Sequence, residues 1–222
     1  IAGAVMSSTI ENCVNYAPMH ARGTGVDNVR ATMGAFGGFV YADQEKGGSV
    51  LKNLTNYGSI KAEGDKNTKN GATSVMAAGI AGITNGTTTI STARNLIYNC
   101  VNYGEMTSSV PRTSGIVSAV NQYTDLELCK NYGNQTNSNA GTRVGMITAI
   151  MATYTSLKDR ENHGDAIMTG GTGAPTGVPL PVVNNTICTP ADVRLVIATI
   201  SSGLCFSPLR ASSVNRVSSK GL

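Results

Sequence analysis

The segment Ile97-Tyr-Asn-Cys-Val-Asn-Tyr-Gly104 recurs in five related forms along this chain of 222 residues. Each form combines an apolar residue, a position that is most often Cys, and a final Asn-aromatic-Gly or a variant of it. The five copies cover residues 10–17, 51–58, 97–104, 125–133 and 157–164. Their central Asn residues lie about 29 to 46 residues apart, which suits stacked coils with loops of variable length.

A short run of small and apolar residues precedes each copy. The five runs are residues 1–5, 38–42, 79–83, 115–120 and 145–150, and a Gly introduces the last four. Such runs are too short for helices and are typical of strands buried on both faces. Each unit is therefore predicted to contain a buried strand, a turn, a second strand that ends in Asn-Tyr-Gly, and a polar loop. One unit cannot bury its apolar side alone, whereas stacked units can.

These features predict an all-β fold: a β-solenoid, similar to a parallel β-helix, of about five coils. Layers about 4.8 Å apart would align equivalent side chains in ladders. The predicted inner ladder of side-chain amides is Asn15, Asn56, Asn102, Asn131 and Asn162. The predicted aromatic ladder is Tyr16, Tyr57, Tyr103 and Tyr132, with His163 in the last coil. The predicted inward column is Cys13, Leu54, Cys100, Cys129 and Arg160.

The turn after each aromatic residue is expected to need a positive φ. The glycines at this position are Gly58, Gly104, Gly133 and Gly164. Ala17 departs from the pattern and is followed by Pro18, so the first turn is expected to differ.

The Asn-Cys-x-Asn-Tyr-Gly units, alternating with Gly-Ile-Val-like strands, resemble the GLUG-type β-solenoid repeats of large surface and secreted proteins in bacteria and some protists. The resemblance covers about residues 1–168. It implies an adhesin or an envelope-associated scaffold at the cell surface, and it supplies no catalytic residues.

The repeat stops after residue 168. Residues 169–186 are predicted to form a Gly/Pro linker or extended segment, and residues 187–222 a capping element and tail. Thr189-Pro-Ala-Asp192 has the form of a helix start and Gly203 that of a stop, although residues 193–200 are β-branched enough for a strand. Cys188 and Cys205 flank this element and are a possible disulfide in a secreted protein.

Composition narrows the class of protein. Only 14% of residues are charged, there is no Trp, and the net charge of +4 comes from scattered Lys and Arg. Nucleic acid is therefore not an expected partner. No apolar stretch reaches 18 residues, so no membrane span is expected in this segment. Neither a cofactor nor a metal is expected, because the five Cys residues show no Cys-x-x-Cys spacing.

Candidate chemistry is sparse. Cys100 and Cys129 would lie in adjacent layers within disulfide reach, although buried free thiols are the favoured interpretation. His20 and His163 are interpreted as structural, since no nucleophile motif accompanies either. The acidic cluster Asp159, Glu161 and Asp165 fits a catalytic or calcium site, or a solvated charged face. No acidic or aromatic row is assigned to an outer face.

The functional expectation is a non-enzymatic structural or adhesive module, extracellular or on the cell surface. A close variant of this expectation is a subunit of a surface filament, since Ile1 stands where an array would continue upstream or dock on another copy. Expected partners are copies of itself, other surface proteins and glycans. The alternative is a carbohydrate-active or glycan-binding β-helix protein similar to a polysaccharide lyase or hydrolase.

Overall fold

A computed structural model describes residues 1–23, 31–64, 75–86, 93–138, 143–152, 154–169 and 178–179. Across these residues the regular structure consists of 25 short strands and contains no helix. The strands form sheets that run along a stack of coils, so the predicted all-β solenoid is confirmed. Cys188, Cys205 and the possible capping helix lie outside the described residues, as does most of the predicted linker.

Five coils follow one another along the chain. The first contains β1 (Ala2–Met6), β2 (Thr9–Glu11), β3 (Val14–Asn15) and β4 (Met19–Gly23). The second contains β5 (Ala31–Gly34), β6 (Gly37–Tyr41), β7 (Val50–Lys52), β8 (Thr55–Asn56) and β9 (Ile60–Gly64). The third contains β10 (Val75–Ala78), β11 (Ala81–Asn85), β12 (Asn95–Tyr98), β13 (Val101–Asn102) and β14 (Met106–Ser108).

The last two coils repeat the same order. The fourth contains β15 (Arg112–Ser114), β16 (Val117–Val120), β17 (Thr124–Glu127), β18 (Lys130–Asn131) and β19 (Gln135–Asn137). The fifth contains β20 (Arg143–Gly145), β21 (Thr148–Met151), β22 (Ser156–Lys158), β23 (Glu161–Asn162) and β24 (Asp165–Met168). A final strand, β25 (Val178–Pro179), pairs antiparallel with β24.

Every other strand pair is parallel, and equivalent residues of the repeat face each other across it. Asn56 pairs with Asn102 and Asn102 pairs with Asn131, so the central Asn of each coil meets that of the next. The five sheets therefore each take one strand from successive coils; only the sheet that begins at β5 has no described strand in the first coil.

A full coil has five strands, whereas the sequence predicted two. The predicted second strand is broken in two by a bend, and the segment after Asn-Tyr-Gly adds two further strands, such as β9 and β10 in the second and third coils. These extra strands are three to five residues long and vary in sequence between coils. Runs that short carry too little periodicity for recognition.

The bend is made by a residue in the left-handed region just before the Cys position. The residues concerned are Asn12, Asn53, Asn99, Leu128 and Asp159, with φ between 46° and 56°. Asn tolerates this conformation better than most residues. The Asn side chains also form a ladder of their own: Nδ2 of Asn53 donates to Oδ1 of Asn12 at 2.9 Å, and Nδ2 of Asn99 donates to Oδ1 of Asn53 at 2.9 Å. We call this the outer Asn ladder.

The expected positive φ at the glycine of Asn-Tyr-Gly is wrong. Among the described glycines only Gly47 has a φ in the left-handed region, at 92°. Glycine is required for space instead, because a Cβ on Gly104 would overlap the carbonyl oxygen of Gly58 and lie 2.7 Å from Nδ2 of Asn56. Gly58, Gly133 and Gly164 are crowded by the preceding coil in the same way. Ala17 is accommodated because it is exposed on the first coil.

The main core runs through the middle of the coils. Phe36, Leu51, Ile80, Ile97 and Leu126 are fully buried there. A second cluster, which includes Ile60, Val75 and Met106, lies where the sheet of β10 packs on the sheet of β9. Leu54, Cys100 and Cys129 belong to this core and precede the central Asn of their coils by two residues, so the core anchors the Asn-aromatic-Gly corner.

The left-handed bend generates a testable prediction about stability. Leu128 is a γ-branched residue in a conformation that disfavours side chains without a local hydrogen bond. Leu128→Asn should therefore raise the free energy of unfolding by about 1 kcal/mol, because it relieves this strain and extends the outer Asn ladder. Urea unfolding measures the change. The matched control is Asn99→Leu, which should lower the free energy of unfolding by a similar amount. If both substitutions changed the free energy of unfolding equally and in the same direction, the prediction would be wrong.

Candidate functional site

The inner Asn ladder joins all five coils at one corner. Nδ2 of each Asn donates to Oδ1 of the next: Asn15 to Asn56 at 2.7 Å, Asn56 to Asn102 at 2.8 Å, Asn102 to Asn131 at 2.8 Å, and Asn131 to Asn162 at 2.9 Å. The ladder is buried in its centre, where Asn56, Asn102 and Asn131 are at most 1% exposed.

The same amides also hold the turn of their own coil. Nδ2 of Asn102 donates to the carbonyl of Gly104 at 3.0 Å, while Oδ1 of Asn102 accepts from the Gly104 N–H at 3.2 Å. With its two neighbours in the ladder, this amide uses both donors and both acceptor lone pairs. An Asn at this position therefore fixes the turn and the register of the next coil together.

The inward column places sulfur atoms beside the Asn ladder. Cys100 and Cys129 are fully buried free thiols, and Cys13 is a half-buried one. Contact with Cys129 and burial raise the pKa of the Cys100 thiol well above its usual range. Sγ of Cys100 donates to the carbonyl of Tyr98 at 3.4 Å. Arg160 is buried at the equivalent place in the last coil, where Nη1 donates to the carbonyl of Leu157 at 2.8 Å.

The aromatic residues stack in one column on the outside of the corner. Neighbouring ring centroids are 5.2 Å apart for Tyr16 and Tyr57, 4.9 Å for Tyr57 and Tyr103, and 4.8 Å for Tyr103 and Tyr132. His163 continues the column at 4.6 Å from Tyr132. The interplanar angles are 11° or less. We call these five residues the ring ladder.

The ring ladder is a surface feature. Tyr16 is 74% exposed, Tyr57 48%, Tyr103 43% and Tyr132 36%. The sequence pattern predicted no aromatic row on an outer face, and the exposed tyrosines show that this prediction is wrong. The repeat showed that the rings align, but the direction in which a residue points at a corner between two strands depends on the backbone there.

A clasp of polar side chains joins the last three coils on another side. The Arg94 guanidinium binds Asp125 through two bonds, Nε to Oδ2 at 2.6 Å and Nη2 to Oδ1 at 2.5 Å. Ser156 donates to the same carboxylate. Burial raises the pKa of Asp125, but the bonds from Arg94 and Ser156 outweigh it and leave that pKa below its usual value. The repeat pattern gave no signal for this cluster: Asp125 and Ser156 face each other at one position of the repeat but differ in residue type, and Arg94 lies two positions earlier in its own coil.

The acidic cluster is dispersed around the fifth coil. Glu161 forms ion pairs with Lys130 at 3.0 Å and with His163 at 3.0 Å, and hydrogen bonds from these two groups lower its pKa. Asp159 occupies the left-handed bend, and the Asp165 N–H donates to Asn134. A general acid in a glycosidase needs a raised pKa, so Glu161 is poorly suited to that role. His20 pairs with Glu63 at 2.9 Å on the surface.

The described part of the chain contains no group of three or more His, Cys, Asp or Glu side chains placed to hold a metal ion. It also contains no helix long and apolar enough to cross a bilayer. Comparisons with family models, with curated proteins and with solved structures find no match. The resemblance to GLUG-type repeats thus stays a prediction.

The inner Asn ladder predicts a large effect of one substitution. Asn102→Ala should lower the free energy of unfolding by about 1 to 3 kcal/mol, because the buried atoms Nδ2 of Asn56 and Oδ1 of Asn131 would lose their hydrogen-bond partner. Chemical unfolding followed by circular dichroism measures this value. Asn53→Gly in the outer Asn ladder is the control: it keeps the left-handed bend and leaves only solvent-accessible groups unpaired. A loss no greater for Asn102→Ala than for this control would contradict a buried ladder.

The Arg94–Asp125 clasp predicts a dependence of stability on pH. Because the pKa of Asp125 is lower in the folded state, its carboxylate stabilises the fold above the ordinary value of 3.8, and this contribution disappears as pH falls below it. Asp125→Asn should therefore lower stability at neutral pH and flatten its decline in acid. Unfolding free energies measured across the acid range test this, and an unchanged slope for the variant would refute it.

Proposed function

We propose that this chain is a non-enzymatic structural or adhesive β-solenoid module that works outside the cell or on its surface. The observation that carries the proposal is the ring ladder, an exposed row of aromatic side chains held at constant spacing by a buried hydrogen-bonded corner. Such a row suits attachment, because it offers the same group repeatedly along one line.

Rigidity supports the same proposal. The ring ladder is attached to strands β3, β8, β13, β18 and β23, whose Asn residues are bonded to one another from coil to coil. A surface that is already ordered loses little conformational entropy when it binds. The low charge of the chain, and the resemblance of its repeat to GLUG-type units, fit an extracellular setting.

A filament form of this proposal has copies stacked end to end along the solenoid axis. Successive coils pair through parallel strands in every sheet, and the same pairing between copies would continue the stack. Microscopy of the native material tests this form, and discrete particles of one length would count against it.

The alternative of a glycan-binding β-helix is favoured by one specific observation, the aromatic row on an outer face. A hydrolase version of it would need a carboxylate pair. Glu161 is held ionised by Lys130 and His163, which argues against it as a proton donor. We therefore propose binding without catalysis.

Retention on surfaces without turnover is the expected result. The purified chain should be retained by at least one member of a panel of immobilised cell-wall polysaccharides and extracellular matrix proteins. Neither new reducing ends nor unsaturated ends should appear during incubation. Retention by no member, or release of new chain ends, would overturn the proposal.

A further inference from the structure

We infer that the ring ladder binds a neutral, extended polysaccharide of β-1,4-linked pyranose units, which lies along the solenoid axis with about one sugar unit for each coil. This inference rests on the proposed function and names the partner of the same surface. Tyr16, Tyr57, Tyr103 and Tyr132 would supply four successive subsites.

The spacing of the rings matches the advance of a straight polysaccharide chain. The rings repeat every 4.8 to 5.2 Å along the column. A β-1,4-linked pyranose chain is a straight ribbon whose advance per sugar is close to this repeat. Polysaccharides with α-1,4 or β-1,3 links coil instead, so their sugars leave the line of the rings after one or two units. The ladder therefore selects a straight chain by geometry.

The exposed part of each ring contacts the sugar. Because the rings are stacked along the solenoid axis with interplanar angles of 11° or less, their faces are turned towards the neighbouring rings, and a chain that lies along this axis meets the ring edges and the hydroxyl groups. The exposed fractions are 43% for Tyr103 and 48% for Tyr57. The C–H groups of a pyranose pack against these exposed edges.

The hydroxyl groups of the ring ladder are available to a ligand. In the described part of the chain, the phenolic oxygens of these four tyrosines have no protein hydrogen-bond partner. Each can donate to or accept from a sugar hydroxyl. A row of phenols at the spacing of the sugars can thus pair with one hydroxyl group on each sugar. A protein partner with an irregular surface does not provide hydroxyl groups at such a regular spacing.

The charges beside the ladder are of both signs. One flank of the four tyrosines consists of Val14, Thr55, Val101 and Lys130, and the other of Pro18, Ser59, Glu105 and Asn134. Lys130 interacts with Tyr132 and Tyr103 and is paired with Glu161 at 3.0 Å. Because neither sign of charge dominates, neither an acidic nor a basic polymer is favoured.

The experiment measures binding of the full chain to microcrystalline cellulose by co-sedimentation, and to cellohexaose by calorimetry. Tyr57→Ser with Tyr103→Ser removes two central rings and should weaken binding at least about thirtyfold, because one ring contact and one hydrogen bond are lost in each of two coils. Tyr57→Phe with Tyr103→Phe keeps the stack and removes the hydroxyls, and should give a smaller loss. Thermal unfolding of each variant establishes that it is folded.

Tyr154→Ser is the matched control, because Tyr154 is 64% exposed and stacks on Tyr123 at 5.2 Å outside the ladder. It should bind cellulose as the original chain does. Amylose and a β-1,3-glucan serve as polysaccharides of the wrong shape and should bind at least about tenfold more weakly.

Three outcomes overturn the inference: equal binding by the double Ser variant, equal binding to amylose, or no binding to cellulose. If the chain fails to bind cellulose but is retained by another surface of the panel, the inference fails and the proposed function stands. If no surface retains it, both fail.

Discussion

The hydrogen bond between side-chain amides of successive coils is the constraint from which the rest of this structure follows. An Asn amide reaches the next amide at 2.8 Å only when both stand at the same position of the repeat. A shift of one residue would place Val101 opposite Asn131 and would turn the apolar side chains away from the core. The amide ladder and the apolar core therefore require the same register of the strands, and a shift of one residue would disrupt both.

The same register aligns equivalent side chains of successive coils in columns, both in the core and on the surface. Inside, it stacks Leu54, Cys100 and Cys129 between coils, where burial and contact between thiols keep Cys100 protonated. Outside, it stacks rings and turn amides at the spacing of the strands. The loops between the columns are free to differ in length, because the central Asn residues are 29 to 46 positions apart and still meet.

Charge has a secondary place in this architecture. Ion pairs such as Lys158 with Glu127 and Lys52 with Glu11 join adjacent coils, but they lie on the surface, where such pairs contribute little. The clasp of Arg94 and Asp125 is more enclosed and bidentate, and it reinforces the fourth coil against the third. Near the ring ladder the charges are of both signs, Glu105 beside Tyr103 and Lys130 paired with Glu161, so neither sign dominates its border.

The sequence by itself determined the class of fold, the number of coils and the identity of the ladders. The amide ladder requires Asn and the crowded turn requires Gly, so these residue types recur in the sequence at each coil. It also contained the outer Asn ladder, visible as the Asn before Cys13, Leu54 and Cys100. Only the tertiary structure decided that a coil has five strands, that Gly104 is needed for space, and that the tyrosines face solvent. These features depend on how the backbone bends between short strands and on what the neighbouring coil places there, and neither is written in the spacing of residues along the chain.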